Sequence, residues 1–213
     1  MRGARRTWSV RRSAARVRQR RRWAFFSSLL RRRMLTVEIY LDVETQRIAE
    51  EVPGGWDNIR AFGLALAVTW DGANGYREWY ETEAGRLIGE LCTFERIITF
   101  NGLRFDFEVL SAYGDVRELR GKSLDLLQDL KRRLGFRVSL QNLARATLGT
   151  GKTGSGLDAV KWWRSGDPAL RQRVVEYCRR DVEILQEIVA FGRREGFVRI
   201  PSQGRDLPVY VAW

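Results

Sequence analysis

In the stretch IYLDVET (residues 39–45) two acids, Asp42 and Glu44, are separated by a single valine. On a β-strand, residues i and i+2 point to the same side, so both carboxylates project together and repel. Either water, on the wet face of an amphipathic strand, or a cation would satisfy such a pair. Two further acids stand in patterned surroundings. Asp106, in NGLRFDFEVL, falls in the first turn of a helix expected directly after a buried strand. Asp181, in EYCRRDVEIL, lies on a long helix with Tyr177 four residues before it, a spacing that puts both on one face. That helix carries an apolar stripe of Val174, Cys178, Val182, Leu185 and Val189, and an acid bordering it should be paired or metal-bound. Taken singly, Asp106 could serve a helix macrodipole, Tyr177 a core, and Asp181 a surface ion pair. The order and spacing of the five residues point to a shared site. The chain has no histidine. Histidine triads, Cys-His dyads, zinc fingers and His-based acid–base catalysis are thereby excluded, which leaves carboxylates, Tyr, Lys, Arg or a metal to do any chemistry.

The elements that must position these residues are legible from periodicity. Residues 35–43 alternate as a strand, with Val37, Ile39, Leu41 and Val43 on one face and Glu38, Tyr40 and Asp42 on the other. A second strand is expected over 60–69, then a turn at DGANG (71–75) and a third strand over 76–80, together a meander. A helix over about 82–92, a buried strand RIITF (96–100), a turn at Asn101-Gly102 and a helix over 103–113 follow. The pattern then predicts a short strand near 118–122 and a helix in SLDLLQDLKRRLG with Ser123 as N-cap and Gly135 past its end. Ser139 caps a further helix ending at Gly149, LDAVKWW forms a short one, and Asp167-Pro168 opens the longest, ending near Gly192. The tail reads as a hairpin. Strands in meander followed by alternating strands and helices indicate an α/β layer with a mixed sheet.

The chain has 213 residues, 44% hydrophobic and 30% charged, with a net charge of +12. Residues 1–33 hold thirteen Arg and no acid, which leaves the rest of the chain at −1. The basic signal is a property of the N-terminal arm. Its composition is that of an organellar transit peptide, of a disordered arm gripping phosphates, or of an over-extended gene start, Met34 opening the first strand pattern. The folded domain is expected over 34–213. No apolar run approaches the ~20 residues of a membrane span. Cys92 and Cys178 fall in apolar helical patterns without metal-type spacing, as buried free thiols of a reducing cytoplasm do. GTGKTGSG (149–156) imitates a phosphate-binding P-loop, but the required glycine is Ala146 and the segment follows a helix, so a nucleoside triphosphate site is rejected. It is read as a loop whose Lys152 touches a substrate phosphate.

LDVET, NGLRFD and YCRRD resemble the three sequence blocks of the DEDD exonucleases, D-x-E, N-x-x-x-[FY]-D and Y-x-x-x-D, the last marking the tyrosine subclass. More closely, SLQNLARATLG, GLDAVKWW and EYCRRDVEIL resemble the YprB-type domain, a predicted exonuclease related to family-B polymerase proofreading domains and sometimes fused to helicases. The likeness covers about 35–213. Leu41 departs from it, since an aromatic often precedes the first Asp. The resemblance implies a ribonuclease-H-like α/β fold, with a mixed five-stranded sheet of three antiparallel and two parallel strands flanked by helices. It implies a 3′–5′ exonuclease releasing nucleoside 5′-monophosphates from DNA or RNA, single-stranded 3′ ends being favoured. Asp42, Glu44, Asp106 and Asp181 would be metal carboxylates, Tyr177 would orient the attacking water, and Asn101 would hold the loop or the substrate's end. Two hard cations about 4 Å apart, Mg²⁺ or Mn²⁺, suit such oxygen ligands, with Asp42 bridging, Glu44 and Asp181 completing the first ion and Asp106 serving the second. An endonuclease trimming RNA or selecting structures with the same site is the alternative within enzymes. A catalytically inactive nucleic-acid-binding partner of a helicase is the alternative outside them.

Overall fold

The computed structural model describes residues 38–150, 156–202 and 204–213. The Arg-rich arm (1–33) and Lys152 lie outside the described residues. The alternating segment forms β1 (Glu38–Thr45), the middle strand of a five-stranded sheet. β2 (Leu64–Asp71) runs antiparallel to it, and β3 (Gly75–Tyr80) antiparallel to β2. The Asp71 carboxylate closes that hairpin by accepting the N–H groups of Ala73 and Asn74 at 2.8 and 3.0 Å. On the other side of β1, β4 (Arg96–Thr99) and β5 (Ser123–Asp125) run parallel to it, giving the order β3-β2-β1-β4-β5. The expected mixed sheet is thus the observed one.

Both faces of the sheet are covered. Ile39, Leu41 and Val43 point into a core shared with α1 (Ala84–Cys92), α2 (Asp106–Leu110) and α3 (Arg117–Gly121). Tyr40 points the opposite way, into a core shared with α4 (Leu126–Leu134), α5 (Leu140–Leu148), α6 (Gly156–Arg164) and α7 (Pro168–Glu195). The second face of β1 is therefore roofed by helices, with Glu38 and Asp42 left half-buried. Burial and its place beside Glu38 push the Tyr40 phenol up to about 12, with Arg193 opposing.

Three local expectations are corrected. Residues 117–121 form α3, and the strand there is the three-residue β5, whose pairing with β4 starts at Ser123. Glu118, Leu119 and Arg120 are good helix formers, and the buried Val116 and Leu119 stand three residues apart, a helical spacing and not the alternation of a strand. Ser123 is a strand residue; the N-cap of α4 is Asp125, which accepts the Gln128 N–H at 3.1 Å. The helix expected over 103–113 is the five-residue α2, because residues 100–105 are used in a turn. Ser139, Gly135 and Gly149 act as expected, as N-cap and as left-handed residues after α4 and α5.

α7, 28 residues and about 42 Å long, opens on the Asp167 cap with Pro168 at its first position. It lies antiparallel to β1. The Cys178 thiol donates to the Asp42 carbonyl oxygen (3.4 Å), and the Arg193 fork grips Glu38 at 2.7 and 2.8 Å. After α7, β6 (Phe197–Ser202) and β7 (Arg205–Tyr210) form the expected hairpin. Behind it, the Trp213 indole N–H donates to Asp129 at 2.8 Å, and its ring fills the space that a Cβ on Gly192 would take. Burial pushes the Asp129 carboxyl up, but bonds from Arg133 and Trp213 outweigh it and hold it below its ordinary range. Trp213→Ala is expected to cost about 2–3 kcal/mol, read as a lower urea midpoint at an unchanged m-value. A depressed carboxyl stabilises above its unfolded pKa and loses that contribution as pH falls. Asp129→Asn should therefore remove part of the wild type's loss of stability on acidification.

Candidate active site

β1 extends beyond its parallel neighbour: pairing with β4 runs from Glu38 to Tyr40, so Asp42 and Glu44 stand past the carboxyl end of β4. In α/β sheets ligands gather at that edge. The register with β2 slips between Glu44 and Thr45, a bulge that re-aims the end of the strand beside the two acids. Both acids share the face of Tyr40, toward α7. The bond from Cys178 to the Asp42 carbonyl sets the helix against the strand, and Asp181 lies less than one turn further on. Carboxylate oxygens of Asp42, Glu44 and Asp181 consequently lie within 4.8 Å of one another, Glu44 and Asp181 buried and Asp42 half-buried.

Asp106 is the first residue of α2 and is buried. Burial, together with the charge of Asp42, holds its carboxyl well above the usual carboxylate range. It lies outside the group of three that share the 4.8 Å radius but within electrostatic reach of Asp42. Its position is set by the turn before it. Asn101 is left-handed (φ 73°), a conformation that asparagine tolerates, and its N–H and that of Leu103 donate to the Asp125 carboxylate at 2.9 and 3.1 Å. A Cβ on Gly102 would lie 2.5 Å from Thr99, so only glycine lets the turn sit against β4. Asp125 is the residue that the reading of the sequence missed; its signal was the D-L-L-Q spacing of an N-cap before Gln128.

Tyr177 sits one turn before Asp181, buried, with its ring edge-on to Trp162 (6.5 Å between centroids). Asn101 and Arg137 line a cleft of about 470 Å³ together with Asp42 and Asp181, and Arg137 donates to the Asn101 side-chain oxygen at 3.1 Å. Cys178 is buried, and burial first, then Asp42 and Glu44, pushes its thiol far up, so it stays protonated and ties elements together. The donors are thus hard oxygens, with neither imidazole nor thiolate. Such donors suit a hard divalent cation.

A sequence-family model of the RNase_H superfamily (RNase_H_2) matches residues 39–191, which contain every element of this site. The chain belongs to the RNase_H superfamily. Solved structures share the superfamily fold. The family B DNA polymerase of the archaeon Pyrobaculum calidifontis superposes with a TM-score of 0.52 at 17% identity, over 73% of this chain and 24% of the polymerase. Trypanosoma brucei RNase D superposes with a TM-score of 0.50 at 14% identity, over 73% of this chain and 57% of the RNase D. The match spans only part of each, and at these identities it shows the fold. No curated protein sequence matches the chain. Among the described residues, no helix is long and apolar enough to cross a membrane.

The buried charge carries a stability cost that an RNase_H-type domain can reveal without any substrate. Asp106→Asn is expected to raise the midpoint of thermal unfolding at pH 7.5 in EDTA. A carboxyl with a raised folded pKa loses stability as pH rises, so the gain should vanish near pH 4. Gly102→Ala should act oppositely, lowering the midpoint at every pH by forcing the turn away from Thr99.

Proposed function

We propose that the chain is a metal-dependent 3′–5′ exonuclease of the DEDD tyrosine subclass, YprB-type, with residues 34–213 as its nuclease domain. The observation that carries this reading is the convergence of Asp42, Glu44 and Asp181, with Asp106 beside Asp42, at the carboxyl edge of the central strands. The names of the similar structures, an RNase D and a family B DNA polymerase, agree with a substrate that is nucleic acid.

Asp42 would touch both of two divalent ions, Glu44 and Asp181 would complete one, and Asp106 would serve the other directly or through water. Bound there, Mg²⁺ or Mn²⁺ would activate the attacking water and stabilise the leaving oxygen. The residues of the chain would do the rest. Tyr177, on α7 with its ring edge-on to Trp162 of α6, would orient the water through its hydroxyl. The left-handed turn at Asn101 would hold the terminal nucleotide in the cleft. The water oxygen bonds to phosphorus, the bond from phosphorus to the 3′ oxygen breaks, and that oxygen takes up a proton, leaving a nucleoside 5′-monophosphate and a strand one nucleotide shorter. The retention of all four acids and the tyrosine argues against an inactive binding module.

The test uses the full chain on 5′-labelled single-stranded DNA and RNA with Mn²⁺, Mg²⁺ or EDTA. A ladder shortening from the 3′ end with either ion, abolished by EDTA, is expected. Asp42→Ala or Asp181→Asn should lower the rate by about 10³-fold, the scale of losing a principal electrostatic contact in a transition state. Undiminished cleavage in those variants would sink the assignment, and internal cuts would move it to the endonuclease.

A further inference from the structure

The cleft at the acids does not end there. It continues past Asn101 and Arg137 into a depression of about 200 Å³ lined also by Arg104 and Lys131, and then into one of about 260 Å³ bounded by Trp56 and Phe105. Arg137 borders all three. The charges along this path differ from those elsewhere on the same elements. Arg132 and Arg133, next to Lys131 on α4, both pair with Asp129, and Arg180 pairs with Glu183 and Glu187. Among the described residues, Arg104 and Lys131 make no ion pair. The acid within the middle depression, Asp125, has both oxygens occupied by backbone N–H groups.

Trp56 is 60% exposed, yet its ring is braced, edge-on to Phe62 at 5.7 Å and tilted on Phe105 at 6.4 Å. A large aromatic held rigid with most of its surface bare is a stacking platform, and a row of uncompensated cations leading to it tracks a phosphate backbone.

We infer that this groove is the track of a single nucleic-acid strand. Its phosphates lie on Arg137, Arg104 and Lys131, and a base a few nucleotides from the 3′ end stacks on Trp56. The inference rests on the nuclease reading for the placement of the 3′ end at the acids. A duplex presents its bases stacked inside and would leave the Trp56 face bare, so the groove selects unpaired strands.

The full chain, in EDTA, is titrated with a 5′-fluorescein-labelled 12-nucleotide oligo(dT) across a KCl series. It is also cross-linked to the same strand carrying 4-thiothymidine at the second to fourth positions from the 3′ end. Arg104→Ala with Arg137→Ala should weaken binding at least tenfold near 150 mM KCl and reduce the slope of log K against log salt by about 1.5. Trp56→Ala should weaken binding about fivefold or more and abolish the cross-link at residues 55–57, and Trp56→Phe should restore most of the affinity. Affinity and slope unchanged in these variants, a cross-link elsewhere, or equal binding of a blunt duplex would overturn the groove. If wild-type chain still shortened strands with Mn²⁺, the nuclease reading would stand without it. Loss in the variants, with no cleavage by wild type under any ion, would keep the groove and sink the nuclease.

Discussion

Three carboxylates held within 4.8 Å repel one another, and the rest of the structure is arranged around that repulsion. Two unit charges 4 Å apart at an effective dielectric of 20 interact by about 4 kcal/mol, and a domain's whole net stability is about 5–15 kcal/mol. A fold could not hold three such charges together for packing alone. Protons or cations must offset them. The raised Asp106 carboxyl keeps a fourth charge from adding to the three, and a divalent ion fits the oxygen donors of the cluster.

Apolar contacts on both sides of β1 fix the strand that carries two of the acids. Ile39, Leu41 and Val43 anchor the strand from below, and Tyr40 anchors it from above beneath α7. Cys178 and Arg193 pin the helix at two points, beside Asp42 and at Glu38, so that its register is set before any ion arrives. Asp125 does the corresponding work for the second parallel strand, spending both oxygens on the turn that delivers Asn101 and α2. Bracing of this kind keeps like charges from relaxing apart.

Much of this was legible beforehand because periodicity and punctuation reflect local physics. The DGANG turn, the caps at Ser139 and Asp167 and the glycines after α4 and α5 act through contacts a few residues away. Asp42 with Glu44, and Asp181 with Tyr177, were singled out through spacing, since i, i+2 and i, i+4 are geometric facts of strand and helix. What escaped depends on contacts distant in sequence. Nothing near Asp125 shows that it will accept N–H groups 22 and 24 residues earlier. Trp56 lies in a run of short 3₁₀ turns (Ala49–Glu51, Gly55–Asp57, Ile59–Phe62) that has no strong period, and its brace, Phe105, comes from beyond β4. The alternation of β1 left water and a cation both open for its second face, because the roof of that face, α7, begins more than 120 residues later.

The central claim, that the acid cluster is a centre for two cations, is tested most directly by anomalous diffraction from crystals of the chain soaked in Mn²⁺. Two peaks about 4 Å apart are expected, with Asp42 touching both, Glu44 and Asp181 on one, and the second lost in Asp106→Asn. A cluster free of manganese at millimolar concentration, or a lone ion that does not touch Asp42, would contradict the account.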